Sequence, residues 1–443
     1  MISKNHNLKK IIIAYKLQDR TKVLNFIKGN PENLNLEELS RIAELVNNNR
    51  SDTAAYYTDP ETLELISQHL PNIDKEIIHI LEPSVGVGNF IQILIDHYAH
   101  AKKLIIDVND IDPESIELTK GLNKYRNIPA NVVINYTVHD FLSNEYTQHY
   151  DLIIGNPPFM KLTSTSGLDK FSKKYNDTIT TNISGFFVQQ STLIGSNIVM
   201  IMPKYFLSNA DFKETRKRIS KLAINKILDF GEKGFKGVLI ETIALFISTE
   251  EEKNLSYTYS VTKKLQNIVK QDILTSEEYP SWLLYRDRFF EDIASHMEFG
   301  VFKVFRDRQL TKSVMKDCGE IRVLKSRNIN RDGSGFTEIP GYDSYINESE
   351  LSTFTVSKYL TRDDVYLSPN MTYYPRVVTK PKNTIVNGSV AILEKVTNSA
   401  ITDKHLKFLS SKKFELFYRI ARNYSTRSLN IDKSSVYFFG LYK

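Results

Sequence analysis

The chain has 443 residues and a net charge of +6, with 41% hydrophobic and 25% charged residues. That balance excludes a mostly disordered chain, a collagen-like one and a small disulfide scaffold. The length suits two or three domains. A single cysteine, Cys318, excludes an internal disulfide and a multi-thiolate zinc site, and no metal site is expected. No run of about 18 apolar residues exists to span a membrane. The start is polar and basic, and the apolar stretch at 11–14 is too short for a signal peptide, so a cytoplasmic protein is expected. The charge is uneven: 28 basic and 29 acidic residues fall in 1–250, leaving 30 and 23, a balance of +7, in 251–443. A positive second half suits a polyanion-binding module.

Residues 1–50 read as helices that pack or cover. Leu36, Leu39, Ile42, Ala43 and Val46 recur at helical spacing, with Asn35 placed to cap the start. From 55 to 250, apolar runs alternate with helical stretches. Strands are predicted at 77–81, 104–108, 132–138, 152–154, 198–201, 224–230 and 243–248. Helices are predicted at 61–70, 90–99, 113–124, 186–195 and 211–221. This alternation implies an α/β fold, a mostly parallel sheet with helices on both faces. Such sheets bind ligands outside the carboxyl ends of their strands. Residues 250–275 read as a charged connector. Beyond it come short strands, turn signals at Asp332-Gly333 and Asn387-Gly388, and aromatics among basic residues.

The loops after the strands carry the chemistry. Glu82-Pro83-Ser84-Val85-Gly86-Val87-Gly88-Asn89-Phe90 follows the first strand and opens a helix. Gly86 and Gly88 allow a tight turn and close approach to a ligand. A glycine pair alone would also fit an ordinary turn. There is no Gly-Lys-Ser/Thr, and Glu82 would repel a phosphate, so this is not a phosphate loop. An acid beside such a turn suits a cationic or amine-bearing ligand. The second strand ends at Asp110-Ile111-Asp112-Pro113. Asp112 before a proline fits a helix cap, which leaves Asp110 for a ribose diol. The third ends at Asp140-Phe141, where Asp140 could accept from an adenine amino group with Phe141 against the ring. The fourth ends at Asn156-Pro157-Pro158-Phe159. Two prolines remove two donors and turn carbonyl oxygens outward, and Asn156 adds a side-chain acceptor. Two converging acceptors suit a planar exocyclic amino group, and Phe159 offers a ring to stack on.

With these motifs in hand, the sequence resembles the S-adenosylmethionine-dependent amino methyltransferases of DNA. Closest are the adenine-N6 enzymes of type II restriction-modification systems, in which a target-recognition domain follows the catalytic motif. The resemblance runs by motif from about 50 to 250. It implies a Rossmann-like methyltransferase fold with a mostly parallel seven-stranded sheet over 51–250. It also implies an N-terminal helical segment at 1–50 and a mixed α+β target-recognition domain at 251–443. It places Thr58, in Ala55-Tyr56-Tyr57-Thr58-Asp59-Pro60, and Glu82 at the cofactor's amino acid end. It places Asp110 at the ribose and Asp140, with Phe141, at the adenine. The catalytic loop is Asn156, Pro157, Pro158 and Phe159. Residues 182–187 would help close the pocket, and Phe235 would join Phe159 in stacking on the extruded base.

The resemblance implies double-stranded DNA as partner, held through Lys325, Arg327, Asn328, Arg376 and Lys380, which stand near Tyr373 and Tyr374. It further implies a monomer that pairs functionally with a separate restriction endonuclease. No nuclease is expected on this chain, since 50 residues ahead of the cofactor motif are too few. Cytosine-N4 in DNA, adenine in RNA and a protein glutamine remain alternative acceptors for the same loop. No covalent intermediate is needed, and Asp317-Cys318-Gly319 does not look like a nucleophile for cytosine C5.

Overall fold

The computed structural model describes residues 2–17, 19–46, 59–234, 240–371, 373–426 and 430–443. The chain divides into two compact units, Met1–Ile273 and Leu274–Lys443.

The first unit is built on a nine-stranded sheet. Its strands are β1 (Ile77–Glu82), β2 (Lys103–Asp110), β3 (Val132–Val138), β4 (Tyr150–Gly155), β5 (Gly195–Pro203), β6 (Ala223–Gly231), β7 (Thr242–Ser248), β8 (Leu255–Ser260) and β9 (Leu265–Lys270). Their order is β3-β2-β1-β4-β5-β7-β6-β8-β9. The pairs β3-β2, β2-β1, β1-β4 and β4-β5 are parallel, and β7 is antiparallel to both β5 and β6. Parallel strands covered on both faces read as near-continuous apolar runs. β4 and β5 do so, with Leu152, Ile153, Ile154, Ile198 and Met200 all fully buried.

The helices of this unit are α1 (Ile2–Ala14), α2 (Arg20–Gly29), α3 (Leu36–Val46), α4 (Pro60–Ser67), α5 (Asn89–His97), α6 (Pro113–Asn123), α7 (Leu168–Tyr175), α8 (Ile183–Ile194) and α9 (Lys213–Ile219). Asp59 and Asp112 cap α4 and α6 ahead of prolines, as expected of Asp112. The N-terminal helices are a packing element. Val23, Phe26, Ile27, Leu39 and Ile42 share one apolar cluster with Leu118 and Leu122 of α6.

Two expectations need correction. The sheet has nine strands, because β8 adds parallel to β6 and β9 pairs with β8. The boundary therefore falls after Ile273, and 250–275 is a hairpin of the first unit rather than a connector. The fully buried residues of β8 are Ser256, Thr258 and Ser260, so a small hydroxyl face hides this strand from an apolar pattern.

The second unit holds a four-stranded antiparallel sheet of Phe302–Arg306, Val390–Lys395, Val365–Pro369 and Val378–Thr379. A three-stranded sheet of Ser344–Ile346, Ile321–Leu324 and Thr384–Val386 shares its apolar cluster. With helices at Asp403–Leu409 and Lys412–Ala421, this unit is mixed α and β. Among the described residues no helix is long and apolar enough to cross a membrane.

A buried ion pair fastens the far side of the first sheet. Lys204, just past β5, lies 2.8 Å from Asp229 of β6 and 3.8 Å from Glu241 ahead of β7. All three are buried. Replacing Lys204 with methionine takes the cation from beside two buried carboxylates. The expected loss is about 3–5 kcal/mol, read as a lower urea midpoint with an unchanged slope.

Candidate active site

Because β1, β2, β3, β4 and β5 run parallel, the loops that follow them line one edge of the sheet. The ends of β1 and β4 are in close contact. A Cβ on Gly155 would lie 3.3 Å from Pro83 Cδ, and the Ser84 hydroxyl donates to the Asn156 carbonyl at 3.3 Å. The glycine turn and the Asn-Pro-Pro loop therefore abut. The Asn156 carbonyl accepts from Ser84 and does not turn outward unpaired.

Glu82 closes β1 with 1% of its surface exposed, and its Oε2 has no hydrogen-bond partner among the described residues. Burial pushes its pKa well above the usual carboxylate range. Asp110 adds to that rise, and the Arg126 guanidinium opposes it. Arg126 is itself buried, and burial lowers its pKa to about 10. It donates to the Val87 carbonyl at 3.3 Å, so it sits behind the glycine turn. Sequence reading passed over this residue.

The turn itself is held from two sides. The Gly86 N–H donates to Asp110 Oδ2 at 2.9 Å, and Thr119 Oγ1 donates to the Gly86 carbonyl at 3.0 Å. Gly86 has φ +57°, and a Cβ there would meet no atom within 4 Å. Gly88 has φ +74°, and its Cβ would lie 2.7 Å from Ile91 Cδ1. Gly88 thus serves packing, and Gly86 leaves open space beside the buried acid.

Asp110 also accepts from the Asp112 N–H at 3.0 Å, so it braces the turn and stays half-buried. A carboxylate has capacity for further acceptance beyond these two bonds. Beside it, Ile111 is 70% exposed, an apolar side chain that sequence reading did not single out. Asp140 accepts from the Leu142 N–H at 3.0 Å and from the Ser143 hydroxyl. Phe141, expected against a ring, is 2% exposed and packs on Phe187 at 5.0 Å and Tyr146 at 5.6 Å. It supports the loop from beneath and presents no ring face to the cleft.

Pro157 is buried, Pro158 is half-buried and Phe159 is 7% exposed, packed within the central apolar cluster. Phe159 is not an open stacking platform in this conformation. The loop's exit is pinned: Leu162 N–H donates to Thr181 O at 2.7 Å, and Ile183 N–H donates to Met160 O at 3.0 Å. Asn182 caps α8, accepting from the Ser184 N–H and hydroxyl. Thr58 and Phe235 lie outside the described residues. Their neighbours meet, since the Asp59 N–H donates to the Gly234 carbonyl at 3.2 Å.

Residues 101–235 match the Eco57I restriction-modification methylase family. That stretch includes Asp110, Asp140 and the Asn156–Phe159 loop, with the glycine turn just ahead of it. Over that stretch the chain is similar to a restriction-modification methylase. The type II methyltransferase M.CvrRI of Paramecium bursaria Chlorella virus XZ-6E is 28% identical over 166 residues, 38% of this chain and 40% of that protein. The type II methyltransferase M.HindII of Haemophilus influenzae is 25% identical over 329 residues, 62% of this chain and 60% of that protein. The chain thus spans less than two thirds of the length of the curated relatives it matches. Among solved structures, the type IIG restriction endonuclease BpuSI aligns at a TM-score of 0.50 with 13% identity, over 92% of this chain and 61% of that one. That likeness carries the fold alone, a Rossmann-like α/β fold.

S-adenosylmethionine is the methyl donor expected from the sequence, and the residues at these strand ends fit it. A buried carboxylate oxygen without a partner among the described residues stands near the open turn at Gly86, and two further acids follow the neighbouring strands. Such a site suits a ligand with a sulfonium, an ammonium and hydroxyl donors.

The residues expected at DNA separate into two kinds. Asn328 is fully buried, donating to Thr337 O at 3.1 Å and Asp343 Oδ1 at 2.5 Å and accepting from the Lys325 N–H. Arg376 is buried and donates to the Ile329, Ser326 and Tyr374 carbonyls. Lys380 is 1% exposed, gives its ammonium to the Leu360, Arg362 and Pro381 carbonyls, and has a pKa lowered to about 8 by burial. These three are structural, because a buried donor already spent on carbonyls cannot reach a phosphate. Lys325 is half-buried, donating to Tyr342 O and Ser344 Oγ. Arg327 is exposed, over the Tyr342 ring at 4.8 Å.

Glu82 yields a prediction with a defined sign. Its folded pKa exceeds the unfolded one, so folding favours its protonated form. Its favourable contribution is full below the unfolded pKa and is lost as pH rises toward the folded value. Without cofactor, Glu82→Gln is expected to raise Tm at about pH 8, with the gain vanishing near about pH 4. Calorimetry at both pH values checks this, and an equal change at both would contradict it.

Proposed function

We propose that the chain is a DNA methyltransferase that moves the methyl group of S-adenosylmethionine to the N6 amino group of an adenine extruded from the duplex. It would act as the modification methylase beside a separate restriction endonuclease, as a monomer. The observation that carries this reading is the contact between the glycine turn and the Asn156 loop through Gly155, Pro83 and Ser84. It brings the glycine turn against the Asn156 loop, which supports reading the first as a cradle for a cation and the second as acceptors for an amino group.

Glu82 would hold the cofactor's ammonium, Asp110 its ribose hydroxyls and Asp140 its adenine amino group, with Ile111 beside the ring. Thr58 would complete the amino acid end. S-adenosylmethionine supplies an electrophilic methyl group on a sulfonium. Asn156 Oδ1 and the Pro157 carbonyl would accept from the target amino group and free its delocalised lone pair. That arrangement asks of the chain only positioning and electrostatics. A stacked adenine cannot reach such a cleft, so the base must leave the helix. Phe159 would have to uncover a ring face as it enters, with Phe235 as the second aromatic.

For the duplex, the exposed cations replace the buried ones as candidates. Arg331 is exposed and stands over the Tyr374 ring at 5.0 Å, much as Arg327 stands over Tyr342. Both guanidiniums can reach phosphates or base edges.

Incubation with S-adenosylmethionine and unmethylated genomic DNA, followed by nucleoside mass spectrometry, tests the reaction. N6-methyladenine is expected. N4-methylcytosine, methylated RNA or methylated protein glutamine would move the acceptor while keeping the site. Asn156→Ala is expected to bind cofactor normally and to lose about 100-fold or more in kcat. Full activity would remove the proposed acceptor. Arg327→Ala and Arg331→Ala are each expected to reduce the salt slope of DNA affinity by about one. An unchanged slope for both would place the duplex elsewhere.

A further inference from the structure

Asn109, the penultimate residue of β2, is fully buried, yet every polar atom of its side chain is used. Its Nδ2 donates to the Pro83 carbonyl at 3.1 Å and to the His139 carbonyl at 3.0 Å. Its Oδ1 accepts from the His139 N–H at 3.2 Å, from Thr137 Oγ1 at 3.2 Å and from the His139 ring Nδ1. Two carbonyls on one side and three donors on the other fix the orientation of the amide. They also fix the imidazole. Nδ1 carries the proton, so in the neutral ring Nε2 accepts from the Tyr146 hydroxyl at 3.4 Å. The Asn109 carbonyl accepts from the Val85 N–H at 2.9 Å.

The chain positions give this network its meaning. Pro83 follows Glu82, Asn109 precedes Asp110 and His139 precedes Asp140. One amide therefore bonds to the neighbour of two of the three acids and is itself the neighbour of the third. It also holds Val85, one residue ahead of the open glycine. Carboxylates on adjacent strand ends repel one another, so something must hold those ends together. The Asn156 loop hangs on β4, which Asn109 does not touch through any of these bonds.

We infer that Asn109 is the positioning residue of the cofactor cleft, fixing the spacing of the Glu82, Asp110 and Asp140 strand ends and so the affinity for S-adenosylmethionine. This rests on the methyltransferase reading above. It requires a split: cofactor affinity depends on Asn109, while turnover at saturating cofactor and affinity for DNA do not.

The test is titration calorimetry with S-adenosylmethionine, together with steady-state kinetics and a DNA-binding isotherm. The proteins compared are wild type, Asn109→Leu, Asn109→Asp and Thr137→Val, each checked for fold by circular dichroism. Asn109→Leu leaves two buried carbonyls unpaired and is expected to raise the cofactor Kd and KM by about ten-fold or more. Its kcat and DNA Kd are expected to stay within about two-fold, and Thr137→Val to stay near wild type throughout. Should Asn109→Leu fail to fold, Asn109→Asp carries the test. It keeps the shape and the acceptor but turns the two donors into a repelled oxygen, and the same loss is expected. A folded Asn109 variant with wild-type cofactor Kd overturns the inference, as does one that loses kcat with cofactor KM unchanged. A wild-type protein that binds no S-adenosylmethionine would instead overturn the methyltransferase reading, and this inference with it.

Discussion

A carboxylate out of water at the end of β1 is the constraint around which the first unit is arranged. Glu82 is buried with one oxygen unpaired among the described residues, and Asp110 raises its pKa further. A folded chain gains nothing from such a group on its own. On the proposed reading it becomes favourable when a cation arrives. Gly86 has open space where a side chain would stand, and the buried Arg126 tempers the repulsion. Electrostatic preorganisation of this kind is prepared during folding and needs no rearrangement on binding.

The parallel sheet then does the joining. Strands that run the same way deliver their following loops to one edge, so residues 72 positions apart become neighbours. Gly155 is the hinge of that meeting. Any side chain there would press on Pro83 and separate the glycine turn from the Asn-Pro-Pro loop. The glycine turn and the Asn156 loop are close because β1 and β4 pair directly. The N-terminal helices reinforce the same region. Asn89, at the start of α5, donates to Glu44 of α3, and Leu118 and Leu122 of α6 are shared with the N-terminal cluster.

Much of this was legible in the sequence, for a physical reason. Six of the strands β1 to β7 are buried on one or both faces and carry apolar runs, and the edge strand β3 shows itself by its β-branched residues, so all seven lie within a few residues of their expected bounds. The acid and glycine motifs fell at strand ends, where topology fixes their position. What escaped was built from residues whose roles depend on partners far along the chain. β8 buries serines and a threonine and reads as polar. Arg126 and Asn109 look like ordinary surface residues until their neighbours are known. Phe141 and Phe159 have the right chemistry for stacking, but exposure is a property of the packed structure.

The second unit shows the same limit in charge. Its balance of +7 counts Arg376 and Lys380 as though they faced a polyanion, yet both spend their donors on backbone carbonyls inside the fold. Burying a cation is costly unless its donors are satisfied, and three carbonyls around Lys380 meet that condition. The result is a clamp. Arg376 joins the turn at 326–329 to the segment at Tyr374, and these are the two stretches that carry exposed Arg327 and Arg331 with Tyr373 and Tyr374. Arg376 ties the two basic segments together, while Lys380 fixes a different turn at Leu360 and Arg362. On the proposed reading the exposed Arg327 and Arg331, each laid over a tyrosine ring, are the ones that meet a polyanion. Net charge therefore overstates the number of phosphate contacts such a unit can make, and the salt dependence of binding should follow the exposed cations alone.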